Sequence, residues 1–311
     1  MTLDADAQAI ADLAASIPAF NTVGIEGARE IAAMASAIPP TTEIAEVVDR
    51  TIATDSGPVS VRIYHPDPRH VLPVLMYMHG GGWSTGDLGT ADEACRVLAA
   101  KAQCVVVSVD YRLAPEHPFP AAFEDVYGVA TWLAGNGAEI GADGGRIAIG
   151  GDSAGGNLAA AACLYARDHG GPEFALQLLV YPSTEYGVER PSMVEHANAP
   201  MLCAEDVRWF WNHYVPTEVD RSDFRAVPSR AESLAQLPPA FVITAEYDPI
   251  RDDGEAYGRA LEEAGVDVKS TRYPGVFHGF FTMPMLSRAQ EALGDAAEEL
   301  TSVFARTTVK R

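Results

Sequence analysis

The sequence is poor in cysteine, poor in basic residues and without a long apolar run. Its four cysteines, Cys95, Cys104, Cys163 and Cys203, form no CxxC pair and no zinc-ligand spacing, which excludes a disulfide scaffold and argues against a metal site. Each stands among apolar neighbours, so structural thiols in a reducing compartment are expected. Lysine and arginine number 22 against 43 aspartates and glutamates, a formal charge of −21. A surface of that sign repels nucleic acid and anionic membranes, so no nucleic-acid partner is expected. A neutral substrate suits it better than a phosphate or sulfate. No stretch nears the ~20 uninterrupted apolar residues of a membrane span, which predicts no stable membrane insertion. The opening Met1-Thr2-Leu3-Asp4-Ala5-Asp6 lacks the positive start and apolar run of an export signal. A cytoplasmic protein is expected, working as a monomer or homodimer.

Of the 311 residues, 48% are hydrophobic, ample for one large α/β domain. From about residue 70, short apolar runs of the kind found in buried parallel strands alternate with segments of helical period. The predicted strands are Pro73–Met78, Cys104–Asp110, Arg146–Gly150, Leu176–Tyr181, Ala240–Thr244 and Val266–Tyr273. The predicted helices are Ala91–Ala102, Pro120–Ala134, Ala154–Asp168, Asp253–Ala264 and Met285–Phe304. Ahead of them, Val59, Val61 and Ile63 alternate with polar or amphipathic residues, and Asp55-Ser56-Gly57-Pro58 turns the chain back on Ala45–Ala53. The pattern predicts a mostly parallel, eight-stranded sheet flanked by helices.

Two segments stand outside the alternation. Residues 1–45 hold two alanine-rich helical stretches split by Pro18 and ended by Pro39-Pro40. Residues 183–230 separate two strands by far more than the 2–6 residues usual there, and include the aromatic-dense stretch Ala204–Tyr214. An insertion after a strand's carboxyl end falls where open α/β sheets bind ligands. Together the two segments read as a helical cap, with core stretches at 46–182 and 231–311.

Gly151-Asp152-Ser153-Ala154-Gly155 is a G-x-S-x-G pattern set between a strand and an alanine-rich helix. That context, more than the letters, points to a serine on a sharp strand-to-helix turn. A serine hydroxyl is a weak nucleophile until a base takes its proton, and in this arrangement acid and histidine follow in that order. His196 and His213 fall in the presumed cap; His278 follows the last strand, at the sheet's carboxyl edge, in what reads as a strand-to-helix loop. His278 is therefore the expected base. The acid should end the preceding strand, where Asp248 precedes Pro249 and is kept extended. Glu246 is the rival, and Asp252 and Asp253 read as helix-cap residues. Acyl hydrolysis also needs donors for an oxyanion. His79-Gly80-Gly81-Gly82-Trp83 follows a buried strand directly, so the amides of Gly81 and Gly82 are expected to serve with that of Ala154. His79 reads as a hydrogen-bonder that shapes this loop.

With these blocks in place, the chain resembles the bacterial esterases related to hormone-sensitive lipase. The matching residues are His79–Trp83, Gly151–Asn157, Asp248-Pro-Ile-Arg-Asp252, His278-Gly-Phe280 and Tyr111–Ala121. The resemblance covers roughly residues 45–305. It implies the α/β-hydrolase fold with a helical cap, short- to medium-chain carboxylic esters as substrates, and no metal or organic cofactor. Trp83-Ser84-Thr85 departs from the residues common after the glycines, as does Ile250 from the usual leucine, and both bear on the pocket's shape. Two other classes share parts of this pattern: amidase-type enzymes such as arylformamidases, and non-catalytic receptors of the plant gibberellin kind, which lack the histidine that His278 provides here.

Overall fold

Branched and aromatic side chains fill the central strands, and both faces of those strands are buried. In β3, Val74, Met76 and Met78 enter one apolar layer, while Leu75 and Tyr77 enter the other. This is the pattern of a sheet covered by helices on each side.

The computed structural model describes residues 2–307. Met1 and residues 308–311, at the outer limits of the first and last stretches above, lie outside the described residues. The order is α1 (Ala5–Ala14), α2 (Phe20–Ser36), β1 (Glu46–Thr54), β2 (Gly57–His65), β3 (Leu72–Met78), α3 (Asp92–Ala102), β4 (Val105–Asp110) and α4 (Ala121–Asn136). Then come β5 (Ala142–Asp152), α5 (Ala154–His169), β6 (Phe174–Val180), α6 (Pro191–Glu195), α7 (Ala204–Tyr214) and α8 (Glu218–Ser222). The chain continues through β7 (Ala240–Tyr247), α9 (Arg251–Glu263), β8 (Val268–Phe277) and α10 (Ser287–Thr307). The strands form one 8-stranded sheet in the order β1-β2-β4-β3-β5-β6-β7-β8. The β1–β2 and β2–β4 pairings are antiparallel, and all the others are parallel. Helices α4, α5 and α9 supply buried side chains to one apolar layer, and α3 and α10 to the other.

Three local expectations need correction. β5 begins at Ala142 rather than Arg146, because Ala142 pairs with Leu72 of β3 despite the intervening Gly144-Gly145. β8 continues through Pro274 and Gly275, which sequence reading places in a loop. They sit inside a bulge: Ala245 pairs with Tyr273, but Tyr247 pairs with Phe277. Gly275 has φ 72°, a region that favours glycine. Its amide donates to Glu246 at 2.8 Å, its carbonyl accepts from Asp4 N at 2.9 Å, and Asp4 in turn holds Arg288 at 3.0 Å. The Ser287 amide also donates to Asp6 at 2.7 Å, so both ends of the described chain close over this bulge.

The third correction concerns Asp252 and Asp253. They lie inside the first turn of α9, but their carboxylates reach away from it. Asp252 accepts from the Ser192 amide at 2.9 Å, and Asp253 accepts from the amides of Thr184 and Glu185 and from the Thr184 hydroxyl. They fasten the 183–230 segment to α9 instead of capping the helix. Burial pushes the Asp253 carboxyl up to about 7. A native pKa above the unfolded one means the folded protein binds the extra proton. The resulting stabilisation is whole below the ordinary carboxylate range and is lost as pH rises through about 7. Asp253→Asn should flatten this part of the profile, seen by comparing Tm against pH from 4 to 8 for the two proteins.

Candidate active site

β5 stops at Asp152, and the chain turns at Ser153 with φ 57° and ψ −115° before α5 begins. A non-glycine residue in that region stores on the order of 1–3 kcal/mol. The surroundings enforce it. The Ser153 amide donates to Val180 O at 2.8 Å, and its carbonyl accepts from the Asn157 amide at 3.1 Å. On the other side the turn is pressed against the last residue of β3. A Cβ on Gly151 would lie 2.4 Å from the Met78 carbonyl oxygen, and one on Gly155 only 2.0 Å from it. Only glycine allows this approach.

Ser153, His278 and Asp248 meet at this edge of the sheet. His278 Nε2 is 3.0 Å from Ser153 Oγ, and His278 Nδ1 is 2.7 Å from Asp248 Oδ2. A carboxylate only accepts, so Nδ1 carries the proton and Nε2 is left to accept from the hydroxyl. Asp248 is fully buried, and its second oxygen accepts from the Ile250 amide at 2.9 Å. The imidazole is held from the side by the Tyr181 ring, with centroids 4.6 Å apart. Of the other candidates, Glu246 is taken up by the Gly275 amide. His196 faces Arg251 at 2.9 Å, and burial lowers its pKa. His213 bonds Trp209 O within α7. None of these three bonds Ser153 among the described residues.

The glycine loop after β3 is set by its carbonyls. His79 Nδ1 bonds Gly80 O at 2.7 Å, while the amides of Ser84 and Thr85 and the Thr85 hydroxyl all donate to Gly81 O. Across a trans peptide the following N–H points the opposite way, so tying back these two carbonyls turns the amides of Gly81 and Gly82 to the other side. Gly81 and Gly82 have φ 111° and 58°. Among the described residues neither amide has an intramolecular acceptor. The Ala154 amide, first in α5, has none within its helix by geometry.

Support for the loop comes from several layers. The His79 ring stacks on Tyr111, whose hydroxyl donates to His79 O at 2.8 Å. Asp152, its pKa raised by burial, accepts from the Tyr77 hydroxyl at 3.0 Å. Arg29 of α2 donates to Ser84 O at 3.0 Å and to Ala114 O, and pairs with Glu116. Phe210 of α7 packs so closely on Gly82 that a Cβ there would stand 2.2 Å from its ring. Sequence reading singled out none of Tyr181, Asp152, Arg29 or Phe210 as site residues. Asp152 carried a signal by lying inside the G-x-S-x-G block, and Phe210 by lying in the aromatic-dense stretch of the expected cap; Tyr181 and Arg29 carried none.

Ser153, His278 and the three glycines of the loop open on a cavity of about 170 Å³, whose remaining walls are mostly apolar and include residues of α2, α7 and the loop before α7, with Trp83, Ile250 and Met283. Among the described residues no group of three or more His, Cys, Asp or Glu is arranged to hold a metal, and no helix is long and apolar enough to cross a membrane. A strained serine, an imidazole, a buried carboxylate and inward-turned amides together have the parts for acyl transfer.

Comparison with known proteins agrees. A model of the α/β-hydrolase fold matches residues 75–282. Esterase LipI of Mycobacterium tuberculosis is 48% identical over 239 residues, 75% of this chain and 74% of its own. Carboxylesterase NlhH of the same organism is 43% identical over 278 residues, 87% of each chain. The solved structure of a hyperthermophilic esterase from the archaeon Pyrobaculum calidifontis superposes with a TM-score of 0.90 at 41% identity, covering 97% of this chain and 99% of that one. The chain belongs to the α/β-hydrolase family, within its carboxylic ester hydrolases related to hormone-sensitive lipase.

Gly155→Ala tests the contact that shapes the serine turn. The clash with the Met78 carbonyl should lower stability by about 2–4 kcal/mol, read from urea unfolding midpoints. A variant as stable as the parent would show that the turn can relax.

Proposed function

We propose that the protein is a serine carboxylesterase, hydrolysing short- to medium-chain neutral esters through an acyl-enzyme. The observation that carries the reading is the hydrogen-bonded line from Ser153 through His278 to Asp248, opening on an apolar cavity beside inward-turned amides. Residues 1–45 and 183–230 act as a cap. The contact of Phe20 with Phe210 and the bond from the Asn21 amide to Asp206 support this, because they join the two segments over the cavity.

In the proposed cycle, His278 takes the proton of Ser153 as Oγ attacks the ester carbonyl. The amides of Gly81, Gly82 and Ala154 hold the developing oxyanion, for which they are already oriented and need no reorganisation. His278 then gives its proton to the leaving alcohol, and water repeats the sequence on the acyl-serine. Asp248 fixes the imidazole tautomer and stabilises its transient charge. These side chains and amides supply every proton and counter-charge the reaction needs, so no cofactor enters. The small apolar cavity and the charge of −21 favour a compact, uncharged ester. A cytoplasmic setting fits three cysteines buried as thiols, the Cys104 thiol pushed up to about 12 by burial.

Ser153→Ala should lower kcat on a 4-nitrophenyl ester by about 10⁶ with the fold intact, and should abolish labelling by a fluorophosphonate. Retention of more than a few per cent of activity would mean another nucleophile. Asp248→Asn should keep the geometry but cost about 10⁴ in kcat, since the imidazole then settles in the wrong tautomer.

A further inference from the structure

Arg29 of α2 is not part of the cavity lining, yet its guanidinium holds two stretches of backbone that frame the glycine loop. Its Nε donates to Ser84 O at 3.0 Å and its Nη2 to Ala114 O at 3.1 Å. Among the described residues no other donor reaches either carbonyl. The Ala114 amide in turn donates to Trp83 O at 2.8 Å. Trp83 and Ser84 are thus both held by their carbonyls, the one through Ala114 and the other directly. Trp83 has φ 56°, a conformation that a bulky side chain takes only when its surroundings impose it.

What these contacts hold is the direction of a proposed oxyanion donor. The Ser84 amide at 3.1 Å, the Thr85 amide at 2.9 Å and the Thr85 hydroxyl at 2.9 Å converge on Gly81 O. The Gly82 N–H belongs to the same peptide plane and points the opposite way, so its aim is only as good as the placement of Ser84 and Thr85. Glu116 grips the guanidinium with both carboxylate oxygens, at 2.8 and 2.6 Å, and the guanidinium draws that carboxyl down to about 2. The pair therefore stays charged wherever an imidazole base can work. Ala114 is wholly buried. Without Arg29 its carbonyl is a buried acceptor left unpaired, a costly state that the loop relieves by shifting toward water.

We propose that Arg29 is a positioning residue for the hydrolysis: through the Ser84 and Ala114 carbonyls it keeps the Gly82 amide aimed at the oxyanion, without touching substrate. The helix that carries it also supplies Ile31 and Ala32 to the cavity wall, so α2 places the apolar wall and the donor loop together. The inference rests on the esterase reading above and deepens it by naming a residue outside the cavity that sets the rate.

The test measures kcat and KM on 4-nitrophenyl acetate for the parent, Arg29→Ala, Arg29→Lys and Glu116→Gln, each corrected for the fraction that fluorophosphonate labels at completion. A shift of about 1 Å at a reacting group costs about 10² in rate, so Arg29→Ala should lower kcat by about that factor and leave KM within about twofold. The Ki of an alkyl trifluoromethyl ketone, which adds to Ser153 and leaves an oxyanion, should rise in step, while the acid limb of the pH profile stays in place. Arg29→Lys keeps the charge beside Glu116 but has no planar fork to span two carbonyls. It should lose at least about 10-fold in kcat, and it decides the matter alone if Arg29→Ala folds poorly. Glu116→Gln leaves both carbonyl bonds and should cost less than about fivefold. A kcat within about fivefold of the parent in labelled Arg29 variants, a loss carried by KM, or an equal loss in Glu116→Gln would overturn the proposal and leave the esterase reading intact. A parent inert on the acetate would instead sink the esterase reading.

Discussion

The pairing of Met78, the last residue of β3, with Gly151, the last but one of β5, is the constraint on which the rest of the site depends. β3 delivers the glycine loop and β5 delivers the serine. Because the two strands lie side by side in register, the inward-turned amides and the turn at Ser153 are set beside each other by sheet hydrogen bonding. The Met78 carbonyl then serves as the surface on which the turn is shaped, with Gly151 and Gly155 seated against it. The strain at Ser153 is tolerated because rigid backbone, held by parallel pairing on both sides of β5, leaves the turn no other course. β7 and β8 complete the arrangement at the same edge, as expected for a doubly wound sheet.

Much of this was legible in the sequence because the signals were strong and local. Runs such as Val105-Val106-Val107 admit little besides a buried strand, and a glycine cluster directly after such a run marks a turned loop. Ser153, Asp248 and His278 could be chosen because each follows a strand and the strands share an edge. What was not legible depended on partners distant in sequence. Nothing near Pro274-Gly275 reveals that Glu246 and Asp4 would hold that segment in the sheet as a bulge. Helix periodicity assigns Asp252 and Asp253 to the start of α9, but says nothing of Ser192 and Thr184 arriving to use them. Arg29, in an alanine-rich helix, gives no sign that it grips the loop after β3.

The outer segments therefore take part in the site's architecture as much as in covering it. Phe210 of α7 rests on Gly82, Phe20 of α2 rests on Phe210, and Arg29 ties α2 to the Ser84 carbonyl. Ser183 and Ala226 accept from the Asn157 side chain of α5, so the segment is pinned near both its ends to the helix that starts after Ser153. Aromatic packing and a few charge-assisted bonds, rather than flexible tethers, join these layers.

The bulge that carries His278 to its place is closed by Asp4, and Asp4 by Arg288. Ser153, its strand and the glycine loop are all synthesised well before His278 and Arg288. Its imidazole partner can be locked in position only after the residues around 288 emerge and meet the first few. In the proposed mechanism the hydroxyl thus stays an ordinary alcohol until that later closure sets the imidazole beside it.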